Sequence, residues 1–319
     1  MAANYDKLPP SLKEIRKNLF YTLDYSGDYR LNKFMKTGAD SYRRLTEFLA
    51  DEFLDGRRIP VRLPETGCSA FAGCLENGNY VLGHNFDVDR CAYMLVRTSP
   101  ADGYASLSMV NLEYLGLTLD KFPLTDAAAP NFILAPYLPM DGINEKGLSM
   151  GVLSAKGHIT CQQTGKIALT TSTAIRVVLD CCATVAEAVE TLSHFDMYPS
   201  RGSNYHFQLA DASGAYAVIE YANGRMHVLD DRYVTNFFLT PGVSEDRCGQ
   251  DRYDKLKNTM TEKNGVFSDV PDAMRALADV AEDGTRWSAV YNLTERSLHL
   301  TPEHDYKETY FFSLNAPEL

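Results

Sequence analysis

The chain has 319 residues, a formal net charge of −11, and 45% hydrophobic against 23% charged residues. That balance supports a sizeable buried core, and the acidic excess argues against nucleic acid or an anionic membrane surface as the main partner. No apolar run approaches the roughly eighteen residues of a membrane span, and the first ten residues lack the apolar core of a secretory signal. Seven cysteines without framework spacing, two of them adjacent at Cys181 and Cys182, fit reduced thiols in a cytoplasmic protein better than disulfides. Charge is uneven: before Cys68, Lys and Arg outnumber Asp and Glu by 12 to 10, and from Cys68 onward acids outnumber bases by 32 to 19. This shift suggests a boundary at Cys68.

Residues 11–64 read as helical. Ser11-Leu12-Lys13-Glu14 fits a capping box, with Leu12, Ile15 and Leu19 following at helical spacing. A second helix is expected over Ser41–Leu54, where Leu45, Phe48, Leu49 and Phe53 form one apolar stripe. Arg57 to Pro64 reads as an extended linker because its two prolines restrict themselves and their predecessors. After Cys68 the pattern changes to strands. Two apolar runs, Phe71–Leu75 and Tyr80–Phe86, flank Asn77-Gly78, a strong local hairpin signal that would return Asp87 towards Cys68.

Further strands are expected at Ser106–Leu112 and Gly147–Ala155, and Asp120–Pro130 reads as a surface excursion. Helices follow at Thr171–Cys182 and, behind a Thr184 cap, Val185–Phe195. A meander comes next: Tyr205–Ala210, the turn Asp211-Ala212-Ser213-Gly214, Ala215–Tyr221, Met226–Leu229 and Tyr233–Leu239. Helices at Ser244–Met260 and Pro271–Val280 precede strands at Arg286–Leu293, Ser297–Thr301 and Glu308–Leu314. Strand groups separated by paired helices argue for an α+β layered fold rather than a doubly wound parallel sheet.

Gly147-Leu148-Ser149-Met150-Gly151 matches the nucleophile elbow of serine hydrolases. That motif needs a strand before it and a helix after it, whereas here a turn precedes and an apolar strand follows, so we reject it. The seven histidines show no metal-ligand spacing. A Cys–His pair stays open on spacing alone, and no histidine stands out as the partner. Cys68 has another route to a base. Cleavage before it would place an α-amine, of pKa about 7.7–8.0, beside its thiol. Gly67 suits this route, because a missing side chain lets the peptide bend and exposes its carbonyl to the thiol.

Five short blocks spread over residues 68–314 resemble the choloylglycine hydrolase family of N-terminal nucleophile hydrolases, which includes bile salt hydrolases and penicillin V acylases. They are Cys68-Ser69-Ala70-Phe71, then Gly83-His84-Asn85-Phe86-Asp87 with its Asp nineteen residues after the Cys. Asn144 to Leu148, Thr235-Asn236 and Asp251-Arg252-Tyr253 complete the set. The resemblance implies a four-layer αββα amidase domain over residues 68–319, behind a helical prosegment of residues 1–67 that masks the nucleophile until autocleavage at Gly67-Cys68. It implies hydrolysis of a linear non-peptide amide, such as an N-acyl amino acid, through an acyl-enzyme on Cys68, with neither cofactor nor metal. It also implies a small-molecule acyl amide as partner and assembly as a homo-oligomer. An acyltransferase on the same scaffold and a non-catalytic binding protein are the alternatives.

Carried over by position, Cys68 is the nucleophile, Asp87 holds the freed amine, Asn236 donates to the oxyanion and Arg252 favours the ionised thiol. Taken singly, Asp87 reads as a turn residue, Asn236 as a strand-end cap and Arg252 as a solvated helix residue. Two positions depart from the family. His84 stands where an Arg is usual, which makes the charge there pH-dependent. Ser154 replaces the Asn of bile salt hydrolases and the Tyr of penicillin V acylases, although its backbone amide can still serve the oxyanion. Both are expected to contact substrate.

Overall fold

The structure, a computed structural model, describes residues 6–59, 66–157, 161–199 and 204–319. In chain order, β1 (Lys13–Arg16), β2 (Phe20–Tyr25), α1 (Leu31–Thr37) and α2 (Tyr42–Phe53) precede the hairpin β3 (Thr66–Leu75) and β4 (Tyr80–Val88). β5 (Tyr93–Thr98) and β6 (Ser106–Asn111) lead into 3-10 turns within residues 112–137, then β7 (Asp141–Asn144) and β8 (Ser149–Ala155). Next come β9 (Ile167–Thr170), α3 (Thr171–Cys181), α4 (Val185–Ser193) and β10 (Phe195–Tyr198). The meander is β11 (Asn204–Ala210), β12 (Tyr216–Ala222), β13 (Arg225–Leu229) and the short β14 (Tyr233–Val234). α5 (Gln250–Glu262), β15 (Val266–Phe267), α6 (Val270–Ala278), β16 (Thr285–Asn292), β17 (Ser297–Pro302) and β18 (Tyr310–Ser313) complete the chain.

Among the described residues, two large sheets face each other. One runs β1-β2-β5-β6-β7-β8-β11-β12-β13, the other β14-β3-β4-β16-β17-β18 with β15 beside β3. α3 and α4 cover the outside of the first sheet, while α5 and α6 cover the second. The fold is α+β, a four-layer αββα sandwich. β3 shows why its sequence is apolar throughout. Cys68, Ala70 and Ala72 join the core between the sheets, and Phe71 and Leu75 join the core beneath α5 and α6. Alternate side chains thus meet two separate apolar layers, and neither face is left to solvent.

The hairpin forms as its Asn-Gly turn predicts. Gly78 takes φ +88, the left-handed region that glycine enters without cost. The register sets Gly67 opposite Asp87 and Cys68 opposite Phe86. β16 then pairs with β4 through an irregularity between Thr285 and Trp287, so that Thr285 faces Asp87 and Trp287 faces Phe86. A bulge of this kind re-aims side chains at the end of a sheet.

The segment before Cys68 carries two strands as well as two helices, which corrects the wholly helical reading. β1 and β2 form the edge of the nine-stranded sheet, and β2 runs parallel to β5 from Phe20 beside Tyr93 to Tyr25 beside Thr98. Ser11 donates to the Asp24 carbonyl, and Glu14 accepts from the Asn18 amide and Tyr21 hydroxyl instead of closing a capping box. A parallel partner some seventy residues downstream overrides the local helical spacing. α2 forms as expected, capped by Ser41, with Leu45 and Leu49 buried. Residues 60–64 of the expected linker lie outside the described residues. Asp120–Pro130 is only partly a surface excursion, because Ala128, Ala129 and Pro130 are buried in the 3-10 run.

Candidate active site

Cys68 lies one turn of pleat inside the start of β3, and its side chain is 1% exposed. Three elements meet there: the β3–β4 edge, the segment after β14, and the first turn of α5. On α5, Arg252, Leu256 and Met260 are buried at helical spacing, so the guanidinium is carried inward on the same stripe as the apolar residues. Gly249 caps that helix with φ +79, and a Cβ there would stand 2.9 Å from Arg252 Nη2. Glycine is therefore required for the close approach of the guanidinium.

Arg252 Nη1 donates to the Cys68 carbonyl at 2.9 Å and to Asp87 Oδ2 at 3.1 Å, while Nη2 donates to Asn236 Oδ1 at 2.6 Å. Glu282 Oε1 stands 3.1 Å from Arg252 Nε. Asn236 Oδ1 also accepts from the Cys68 amide at 3.1 Å, and Nδ2 donates to the Ser154 carbonyl at 2.8 Å and its hydroxyl at 3.1 Å. Because guanidinium can only donate and a carbonyl can only accept, these partners fix which way the Asn236 amide points. In the intact chain it is an acceptor for the amide of the Gly67-Cys68 bond. Donating to an oxyanion requires its NH2 group to turn from Ser154.

Burial pushes the Cys68 thiol well above its ordinary 9.0; the Asp87 charge adds to this, and Arg252 works against it. The thiol of the intact chain is therefore protonated. Burial also raises the Asp87 carboxyl, opposed by the Thr285 hydroxyl at 2.5 Å and by Arg252. Gly67 sits in regular strand opposite Asp87, and a Cβ on it would be in ordinary contact at 3.4 Å with Asp87 Cβ and at 3.5 Å with Asn236 Oδ1. The peptide bend expected of Gly67 is absent.

Cys68, Asp87, Ser154, Asn236, Arg252 and Gly67 thus converge. His84 does not join this cluster. It faces the layer between the sheets, fully buried, with Nδ1 2.5 Å from Asp141 Oδ2 and Nε2 3.1 Å from the Val152 carbonyl. Asp141 also accepts from Trp287 Nε1 and the Tyr291 hydroxyl. No face of the ring is open to a substrate in this form of the chain. Thr285, Glu282 and Gly249 had no signal in the sequence. Ser149 is a buried strand residue donating to the Gly142 carbonyl, which removes the serine elbow. Among the described residues, no group of three His, Cys, Asp or Glu could hold a metal, and no helix is long and apolar enough to cross a membrane. A cavity of about 810 Å³ lies between Tyr29, Lys33 and Asp180, and Cys68 is not among its lining residues.

Residues 137–305, a little more than half of the chain, match the family model of acyl-coenzyme A:6-aminopenicillanic acid acyl-transferase. The chain belongs to that family. The match takes in the blocks at Asn144, Asn236 and Arg252 and begins after those at Cys68 and Asp87. Two solved variants of the conjugated bile acid hydrolase from Clostridium perfringens are similar in fold. They are 15% and 16% identical with TM-scores of 0.58 and 0.60, each over 78% of this chain and 92% and 93% of theirs. Penicillin V acylase from Agrobacterium tumefaciens is 17% identical over 77% of this chain and 86% of its own, with a TM-score of 0.49. No curated protein sequence matches. The family match and the fold agree with the resemblance to N-terminal nucleophile hydrolases, a scaffold for amide hydrolysis or acyl transfer.

Proposed function

We propose that the chain cuts itself between Gly67 and Cys68 and that Cys68 then cleaves a linear acyl amide, such as an N-acyl amino acid. The observation that carries this reading is the hydrogen bond from the Cys68 amide to Asn236 Oδ1, within a cluster that also brings Arg252 and Asp87 to the same bond. In the first reaction Cys68 Sγ attacks the Gly67 carbonyl carbon. The C–N bond breaks, the amine of residue 68 takes up a proton, and a thioester joins Gly67 to Sγ. Water then hydrolyses the thioester, leaving a carboxylate on Gly67 and a free thiol. In the second reaction the α-amine takes the thiol proton as Sγ attacks the substrate carbonyl. The same proton passes to the leaving amine, and water releases the acyl group.

Asn236 and the Ser154 amide supply the oxyanion donors in this scheme. Asn236 joins as a donor once its NH2 group has turned from Ser154, and a donor in place contributes about 3–4 kcal/mol to such a step. Arg252 offsets the charge of the thiolate, and Asp87 retains the amine. Residues 1–67 remain on the body after the cut, a reading supported by the burial of Phe20, Leu23, Phe34, Leu45 and Leu49 in the shared core. The family's own description supports a second reading, in which an amine rather than water accepts the acyl group.

Intact mass spectrometry of wild type beside Cys68→Ala tests the proposal. The expected result is a break between residues 67 and 68 in wild type alone, with acyl amide turnover confined to the cut protein. A wild-type chain that stays whole under every condition, with an unreactive Cys68, would instead mark a binding protein.

A further inference from the structure

His206 and Glu220 stand opposite each other on β11 and β12, both fully buried. His206 Nδ1 is 3.0 Å from Glu220 Oε1, and Nε2 is 2.6 Å from the Thr235 carbonyl. Glu220 accepts three further hydrogen bonds, from the Leu239 amide at 2.8 Å, the Thr240 amide at 2.9 Å and the Thr240 hydroxyl at 2.6 Å. A peptide carbonyl has no proton to give, and every other neighbour of this carboxylate is a donor. Satisfying both acceptors thus takes a proton on each ring nitrogen, which makes the pair a buried imidazolium and carboxylate. Burial acts to raise Glu220, yet the His206, Thr240 and Leu239 donors together hold it below its ordinary value.

The pair therefore grips one short segment at both ends, at Thr235 and at Leu239-Thr240. Asn236 stands between the two grips. Its carbonyl accepts from the Lys156 amide at 3.0 Å, and its side chain reaches the Cys68 amide, Arg252 and Ser154. We propose that His206 and Glu220 are positioning residues whose ion pair holds the 235–240 segment so that Asn236 meets the Cys68 amide. The proposal rests on the Cys68 reading above and deepens it. A buried ion pair contributes little net stability compared with apolar packing, but its hydrogen bonds are directional and admit few arrangements of the backbone they hold.

The test has two arms. In the uncut Cys68→Ala chain, amide hydrogen exchange is compared with and without His206→Gln. Exchange should accelerate about tenfold or more at residue 68 and at residues 239–240, while β16 amides stay unchanged. Thr240→Val removes one hydrogen bond from a half-buried position and should give a smaller acceleration at the same amides, and it carries this arm where His206→Gln does not fold. In the wild-type background, His206→Gln should slow self-cutting and lower kcat by about 10- to 100-fold with KM within about twofold. His227→Gln on β13 should change neither. Unchanged exchange at residue 68, or a raised KM with kcat kept, overturns the positioning role. A wild-type chain that never cuts itself removes the Cys68 reading, and the exchange arm still decides the grip on Asn236.

Discussion

Replacing Arg252 by Met tests how charge is balanced at the Gly67-Cys68 bond. The guanidinium is 5% exposed and its partner Asp87 is 4% exposed, so solvent screening is slight. Removing one member of such a pair leaves a buried charge without its partner and costs about 3–5 kcal/mol. The size of that loss depends on pH. The Asp87 carboxyl is raised in the folded chain, mainly by burial, with Thr285 and Arg252 opposing. Its stabilising contribution is fully present below the unfolded pKa and is lost as pH rises through the folded one. Without Arg252 the folded value climbs further, so the loss runs deeper and continues to higher pH. Urea unfolding of Cys68→Ala with and without Arg252→Met, where both chains stay uncut, should show the full difference at about pH 8. At about pH 5 it should narrow towards roughly 1–3 kcal/mol, the cost of the residue 68 carbonyl left without its donor, since Asn236 Oδ1 keeps the residue 68 amide. A difference of equal size at both pH values would refute the assigned charge on Asp87.

The two glycines at the site should respond in opposite ways. Gly249→Ala places a Cβ 2.9 Å from Arg252 Nη2 at φ +79, so it should lose about 1–2 kcal/mol from backbone strain alone and slow self-cutting with it. Gly67→Ala meets only ordinary contacts and should fold and cut like wild type, read by thermal melting and intact mass; a failure to cut would restore a steric need for glycine before the nucleophile. Phe34→Ala reports on the segment before Cys68. Phe34 is fully buried with ring contacts to Phe48 and Tyr137, so the variant should lose about 3–5 kcal/mol in urea unfolding. A loss under about 1 kcal/mol would make residues 1–67 peripheral to the core.

Much of the layered fold was legible because its signals are local. The Asn77-Gly78 turn, the Thr184 cap and the meander about Asp211–Gly214 each depend on a few adjacent residues, and the structure contains all three. Residues 13–25 misled because the opposite holds: their strand state depends on β5, far along the chain. β14 was overextended for a related reason, since the segment after Val234 leaves the sheet to meet His206, Glu220 and Cys68. His206 and Glu220 could not be paired by counting alone. They lie five residues before and six residues after the predicted turn, and come face to face only because Ala215 joins the loop. Arg252 carried a faint signal, its phase with Leu256 and Met260.

The sequence by itself determined that Cys68 follows a glycine at the head of an apolar hairpin, and that Asp87 returns near it, because strands joined at an Asn-Gly turn bring such residues back together; the loop Glu76-Asn77-Gly78 then sets Asp87 opposite Gly67. It also marked the family through blocks too short to be read singly. Tertiary structure decided the chemistry of the site. The protonated state of the Cys68 thiol follows from burial that no local window contains. The direction of the Asn236 amide follows from three partners drawn from β3, β8 and α5. The charge balance on Asp87 follows from a guanidinium 165 residues away in sequence. Hydrogen-bond direction and desolvation depend on where side chains end up in space, and only the packed layers set that.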